Sequence, residues 1–240
     1  MGQSGLGHIL AVITARGGSK RVVRKNLRPL GGKPLLAWTV AAAMQVKDRL
    51  CSIIVSTEDR EIAAVARECG ADVPFLRPTE LASDKARSLP VLQHAVNFIE
   101  SRDSIRIGWV LLLQPTSPFR TASDIVACID LAQEHVCDSV ISVCEMYDHP
   151  VFAKRIGADG YLVPFCLDEV EGIRRQDVSP PAFKRNGAIY LTQRDVLMKQ
   201  ESIYGARVLP YVMPVERSID IDSEVDLLVA EALLKAGVRK

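Results

Sequence analysis

Apolar residues in this chain come in short bursts, and the spacing within each burst predicts a structural element. The run HILAVIT over His8–Thr14 is apolar almost throughout and stops at Arg16-Gly17-Gly18, as a buried strand does when it runs into a glycine turn. Residues 34–45 have helical periodicity, with Pro34 suited to the first turn. Residues 51–56 are apolar and β-branched, hence a strand. Residues 59–69 read as a helix with Gly70 as its stop. A brief strand is predicted at 73–76, a helix at 88–101 and a buried strand at 109–113. Residues 121–134 form a predicted helix that opens with Thr121 and Asp124 at capping-box spacing, and 139–144 is another buried strand.

Strands and helices thus alternate up to about residue 145. Several strands are apolar at every position rather than at every second one. That combination predicts an α/β fold of Rossmann-like type, a mostly parallel sheet with helices on both faces. The rhythm then breaks. Residues 149–184 mix Pro, Gly, Tyr and charge with little helical period, and so long a stretch is no structureless loop in a compact domain. It reads as an extended arm or hairpin that packs on something, a second subunit being one candidate. Order returns with a strand at 187–192, a short helix at 194–199, a strand at 207–212 and a final helix at 223–235. The chain is read as a single domain, 1–240, that carries the arm.

Composition narrows the function. The 240 residues are 48% hydrophobic and 25% charged, enough for one sizeable core. Lys+Arg number 30 against 29 Asp+Glu, which disfavours a broad nucleic-acid surface, so any anion site must be local. Cysteines 51, 69, 128, 137, 144 and 166 contain no CxxC pair and read as buried reduced thiols. The histidines show no ligand spacing. No apolar run approaches the roughly 18 residues of a membrane span, and the N-terminus lacks a signal-peptide core. A soluble, cytoplasmic protein with no membrane or nucleic-acid partner is expected.

Four segments carry chemistry. The first is Ala15-Arg16-Gly17-Gly18-Ser19-Lys20, with Lys25-Asn26 beyond it. A glycine pair directly after the first strand lets backbone N–H groups converge on an anion. Arg16, Lys20 and Lys25 supply counter-charge for a triphosphate. The P-loop spacing is absent, and no GxGxxG follows the strand, which argues against a nicotinamide-dependent oxidoreductase. The second segment runs from Arg77 to Asp84, with Ser88 beyond; it could grip a base or ribose, or form a turn in which Asp84 or Ser88 caps the next helix. The third is QPTSPFR at 114–120. Its prolines fix the backbone at the end of a central strand, and Gln114 offers both donor and acceptor to a base or sugar. The same segment also serves as a rigid strand-to-helix connection. The fourth is SIDID at 218–222, which puts Asp220 and Asp222 on one face of an extended segment. Paired carboxylates beside phosphates suit a hard cation such as Mg2+; Asp222 alone could instead cap the last helix.

In this order and spacing the segments resemble the acylneuraminate cytidylyltransferase family, the CMP-sialic acid synthetases and their legionaminic acid relatives. The resemblance rests on ARGGSK…KN at 15–26, STED at 56–59, RPxELASD at 77–84, LLQPTSPFR at 112–120, RRQ…NGAIY at 174–190 and SIDID at 218–222. It implies a nucleotide-diphospho-sugar transferase type of fold with a dimerisation arm. It implies a nucleotidyltransferase that moves CMP from CTP to the anomeric hydroxyl of a nine-carbon 2-keto sugar acid and releases pyrophosphate, with Mg2+. By the same resemblance Ala15, Arg16, Gly17, Gly18, Ser19, Lys20, Lys25 and Asn26 belong to the CTP-phosphate loop. Arg77 and Ser88 contact the cytidine. Gln114 lies between nucleotide and sugar, and Arg175, Gln176 and Tyr190 lie on the sugar side. Asp220 and Asp222 hold the metal, and Arg16, Lys25 and Asp222 are the implied catalytic residues. A homodimer is implied, with the arm at 149–184 reaching over the partner's site.

The chain departs from that pattern in two places. The family loop reads Ser-Lys-Gly-hydrophobic-Pro ahead of Lys-Asn, and here Arg21-Val22-Val23 stand there. This changes two positions that set backbone flexibility and offers Arg21 as an added contact. The sugar-side lysine expected after His149-Pro150 is matched nearest by Lys154, two residues late. An eight-carbon ulosonic acid as acceptor, and a non-catalytic nucleotide-binding regulator, stay open as alternatives. The transferase reading requires Asp220 and Asp222 to face the Arg16-Gly17 turn across one nucleotide-sized cleft.

Overall fold

A computed structural model describes residues 5–83, 86–167 and 170–238. Among these residues the strands are β1 (His8–Thr14), β2 (Pro29–Leu30), β3 (Lys33–Pro34), β4 (Ser52–Ser56), β5 (Ile107–Leu113), β6 (Ser139–Glu145), β7 (Lys154–Ile156), β8 (Leu162–Pro164), β9 (Phe183–Gln193) and β10 (Val208–Val212). The helices are α1 (Leu35–Met44), α2 (Arg60–Glu68), α3 (Ser88–Asp103), α4 (Ala122–Glu134), α5 (Arg194–Lys199) and α6 (Glu224–Lys235). The central sheet has the order β10-β6-β9-β5-β1-β4. Only β9 runs antiparallel, between β5 and β6; the other neighbours are parallel.

Helices cover both faces of this sheet, so β1 has no solvent side. Ile9, Ala11 and Ile13 enter one core layer with α1, α2 and α4, while Leu10 and Val12 enter the other with α3 and α5. That is why the strand reads as an unbroken apolar run. A third cluster joins Leu227 and Ala230 of α6 to Leu30, Leu35, Phe119 and Ile221. It anchors the C-terminal segment beside the start of α1. Helix ends follow their local signals. Asp59 caps α2 by accepting from the N–H groups of Glu61 and Ile62, and Gly70 ends the turn at φ +94°. Thr121 with Asp124, and Ser223 with Asp226, form complete capping boxes.

Three expectations are corrected. Residues 73–76 form no strand; an isolated parallel bridge joins Ile54 to Asp72. Pro74 has no N–H for a ladder, and Phe75 turns its ring onto His94 and Phe98 of α3, at 4.5 and 4.9 Å between centroids. The strand expected at 187–192 is longer, starting at Phe183. Cys128, Cys137 and Cys144 are buried thiols, but Cys51 at the start of the edge strand and Cys166 on the arm are exposed. The arm contains the β7–β8 hairpin and short 3-10 turns at Pro150–Phe152 and Arg175–Asp177. No helix among the described residues is long and apolar enough to cross a membrane.

Candidate active site

Strands β1, β4 and β5 finish together, Thr14 beside Ser56 and Ile13 beside Leu113. The loops that follow them leave the same edge of the sheet, where open α/β sheets hold ligands. The returning strand β9 bulges against β6 near Asn186-Gly187. Gly187 has φ +77°, and a β-carbon there would lie 2.8 Å from Gln114 Oε1 and 3.6 Å from Asp220 Oδ2. Glycine suits the left-handed backbone here and lets Gln114 close in on it, with Asp220 at ordinary contact distance.

A buried polar network sets that convergence. Arg120 is fully buried and donates to the carbonyls of Ala188 (2.5 Å) and Gln114 (3.3 Å) and to the Thr39 hydroxyl (2.7 Å). The Ser117 hydroxyl donates to the Asn186 carbonyl at 3.2 Å. Asn186 Nδ2 donates to Ser218 Oγ at 2.9 Å, and its Oδ1 accepts from Ser142 at 2.6 Å. The Ile221 N–H donates to the Thr116 carbonyl at 2.8 Å. Loops separated by about a hundred residues are thereby fixed to one another, at about 1 kcal/mol net per bond but several kcal/mol if a buried partner is orphaned.

The cleft so formed has a volume of about 640 Å³. Arg16, Ser19, Lys20, Lys25 and Asn26 line it from the N-terminal loop, Arg77 and Ser88 from the middle of the chain, and Gln114, Asp220 and Asp222 from the far side. The acidic pair therefore faces the Arg16 loop across a single cleft. Lys25 Nζ ties the two sides together, donating to Asp222 Oδ1 and to the Ile221 carbonyl, both at 2.9 Å. Asp222 does not cap α6, because Ser223 does so. Asn26 is buried and donates from Nδ2 to the Arg16 carbonyl at 2.9 Å, fixing the loop's shape. Desolvation in the cleft and repulsion from Asp222 push the Asp220 carboxyl above its ordinary range, against a hydrogen bond from Thr116 and attraction from Lys25. Burial lowers Arg77 to about 10; Glu58 opposes that shift and Arg16 adds to it. Arg77 donates through Nε to Ser56 Oγ at 3.0 Å and through Nη2 to the Ser56 carbonyl.

Other sequence-based candidates lie elsewhere. Ala15 is wholly buried. Gly17 is absent from the cleft wall and its N–H donates to Glu58 Oε1 at 2.7 Å, while a β-carbon on Gly17 would meet Asp59 Oδ2 at 2.5 Å. The glycine thus serves close packing against the β4–α2 turn, which corrects its expected role as an anion-facing amide. Gly18, with open space around it, is also absent from the cleft wall. Lys154, Arg175 and Gln176 stand on the arm, with Arg175 paired to Asp148 at 2.8 Å. Tyr190 is largely buried, 6.1 Å from Tyr204 between ring centroids. Asp84 lies outside the described residues, and Ser88 opens α3 without capping it.

Sequence reasoning singles out neither Glu58 nor Arg87 and includes Ser83 and Thr116 only within their segments; Ser83, Arg87 and Thr116 line the cleft. Glu58 sits in the STED segment but its bond to Gly17 is a contact between distant turns. Arg21 and Val22 both line the cleft, and Val22 is buried. The left-handed residue of this loop is Arg24, at φ +55°, held by ion pairs to Asp59 and Glu61. The loop is therefore shaped by Arg24 rather than by a glycine at position 21.

An open, mostly parallel sheet whose carboxyl edge sets a cationic loop against paired carboxylates defines a nucleotidyltransferase. A family model described as cytidylyltransferase matches residues 10–236, and the protein belongs to that family. The chain is 36% identical over 230 residues to the CMP-N,N'-diacetyllegionaminic acid synthase of Legionella pneumophila, covering 95% of this chain and 96% of that protein. It is 30% identical to the post-translational flagellin modification protein B of Campylobacter coli, covering 96% of both. It is 35% identical to the N-acylneuraminate cytidylyltransferase of Escherichia coli over 92% of this chain but 51% of that protein. A solved CMP:2-keto-3-deoxy-manno-octonic acid synthetase complexed with CTP superimposes with a TM-score of 0.68 at 17% identity, covering 96% of this chain and 99% of the other. The 4-diphosphocytidyl-2C-methyl-D-erythritol synthase of Anaerococcus prevotii gives 0.66 at 15%, with the same coverage. At such identities the structural likeness speaks for the fold.

Proposed function

We propose that the protein transfers CMP from CTP to the anomeric hydroxyl of a nine-carbon 2-keto sugar acid of N-acetylneuraminic or legionaminic type. The observation that carries this reading is the shared cleft, in which Arg16, Lys20 and Lys25 face Asp220 and Asp222. The names of the relatives point the same way.

The acceptor hydroxyl attacks the α-phosphorus in line, the bond to the β-phosphate oxygen breaks, and pyrophosphate leaves. Such transfers depend on positioning and charge neutralisation. Arg16, Lys20 and Lys25 offset the charge of the triphosphate and of the departing pyrophosphate. Arg77 and Ser88 border the cytidine, and Gln114 borders both substrates.

Asp220 and Asp222 would hold Mg2+. Their donor set fits: both offer hard oxygens to the same cleft, and among the described residues no cluster of three or more His, Cys, Asp or Glu forms a protein-only metal cage. Magnesium commonly takes one or two carboxylates and completes its shell with substrate phosphates and water. When bound, it supplies charge neutralisation at the phosphates.

The arm completes the site of a second copy in a homodimer, bringing Lys154, Arg175 and Gln176 to the sugar side. Its outward apolar residues support this: Ile156 is 75% exposed and Tyr161 73%. Use of CTP as the donor supports a cytoplasmic setting. The test is pyrophosphate release from CTP and Mg2+ with a panel of N-acetylneuraminic, legionaminic and eight-carbon ulosonic acids. The expected outcome is the highest kcat/KM with a nine-carbon acid. Preference for the eight-carbon acid reassigns the acceptor, and CTP binding without release with any acid makes the protein a regulator.

A further inference from the structure

We infer that Arg185 belongs to the acceptor site and pairs with the carboxylate of the sugar acid, so that the chain supplying Asp220 also anchors the acid it activates. The inference rests on the transfer proposed above.

Arg185 stands two residues before Gly187, where the missing side chain lets Gln114 approach and Asp220 lies close by. Its seat is aromatic. The guanidinium carbon lies 4.7 Å from the centre of the Tyr204 ring, and Tyr204 in turn neighbours Tyr190. A guanidinium laid over a ring keeps its in-plane donors available and matches a carboxylate in a fork. Arginines on the arm and at the other end of β9 are paired with carboxylates. Arg175 is paired with Asp148, Arg207 with Asp138 and Arg194 with Glu100. Among the described residues Arg185 has no such ion pair, and its interaction is with the ring.

One further observation sets it beside the reacting end of the cleft. A second cavity of about 360 Å³ is lined by Lys184, Arg185, Asn186, Ser218 and Asp220, among others. It shares Asp220 with the nucleotide cleft, so Asp220 stands where the two meet.

The chemistry of the acceptor completes the argument. In a 2-keto sugar acid the anomeric carbon bears both the attacking hydroxyl and the carboxylate. Wherever that hydroxyl meets the α-phosphorus, an anion sits on the adjacent carbon. A cation that lines the same cavity as Asp220, outside the triphosphate loop, can receive this anion. It also offsets repulsion between the acid and the Asp220–Asp222 pair.

The test compares wild type, Arg185→Ala and Arg185→Lys in pyrophosphate release, using the preferred acid and its methyl ester. A hydrogen-bonded charge pair leads us to expect that Arg185→Ala raises KM for the acid by about tenfold to a hundredfold. KM for CTP should stay within about twofold, since the lost contact is to the other substrate. Arg185→Lys should recover part of the loss. With the ester, wild type and Arg185→Ala should agree. An unchanged KM for the acid, or an equal penalty with acid and ester, overturns the inference. Arg185→Gln, which keeps the stem and a planar head, replaces the alanine variant if that chain fails to fold, with the same outcomes. A wild type inactive with every acid rejects the transfer reading and this inference with it. Turnover that ignores Arg185 rejects the inference alone.

Discussion

The nucleotide side and the arm side of this molecule are held in place by different means. On the nucleotide side β1, β4 and β5 are covered on both faces, and the loops at their ends are knotted by buried bonds through Arg120, Ser117 and Asn186. On the arm side a short hairpin carries Ile156, Tyr161, Leu162 and Phe165 on the outside, each at least 65% exposed. The nucleotide side is thus a rigid site built on its own core. The other half carries apolar surface that its own core does not cover, a surface suited to a partner. Rigid positioning is what phosphoryl chemistry needs, whereas acceptor choice can be left to a contributed surface.

The largest expected effect lies on the rigid side. Asp222→Asn should lower kcat by about 10²-fold or more, the scale of a lost electrostatic contact to the transition state, with circular dichroism unchanged. Steady-state pyrophosphate release checks this; near-normal turnover would remove Asp222 from the chemistry. Next in size is stability. Arg120→Met orphans the Gln114, Ala188 and Thr39 acceptors, a cost of roughly 3 kcal/mol or more. At roughly 2–4 °C per kcal/mol for a chain of this size, Tm should fall by about 6 °C or more. Tyr161→Ser on the hairpin should move Tm by roughly 1 °C or less, as for most surface changes. Equal losses in calorimetry would erase the contrast.

The arm responds instead in assembly. Ile156→Asp combined with Phe165→Asp should shift a dimer towards monomer in light scattering without altering the monomer's circular dichroism. A monomeric wild type at working concentration would break the borrowed-arm account. A further effect concerns acid. Burial opposes charge on Asp124, yet bonds from Arg217, Thr121 and Tyr211 outweigh it and hold the carboxyl below its usual range. A lowered folded pKa stabilises above the unfolded value and loses that contribution as pH falls through the folded one. Urea titrations should show Asp124→Asn less stable than wild type at pH 7, with a shallower further loss below about pH 4. Parallel curves would contradict the assignment.

Much of the rigid half was legible because its signals are local. Asp59, Thr121 with Asp124, and Ser223 each announce a helix within a few residues. The unbroken apolar strands announce a sheet covered on both faces. Residues 73–76 misled because an apolar run serves packing as well as pairing, and Pro74 withholds a ladder donor. The bond from Gly17 to Glu58 was illegible because it spans 41 positions. The network around Asn186 reaches 44 positions back to Ser142 and 32 forward to Ser218. Motif order alone suggested that Asp220 and Asp222 face the Arg16 loop, and the topology brings them there. Arg185 went unnoticed because NGAIY drew attention to the residues just after it.

The most direct test of the central claim follows phosphorus in one mixture of enzyme, CTP, Mg2+ and the preferred nine-carbon acid by ³¹P NMR. The account expects a new CMP phosphodiester signal to grow in step with pyrophosphate, one for one. Orthophosphate release, or pyrophosphate accompanied by free CMP with no phosphodiester, would contradict transfer to the sugar acid.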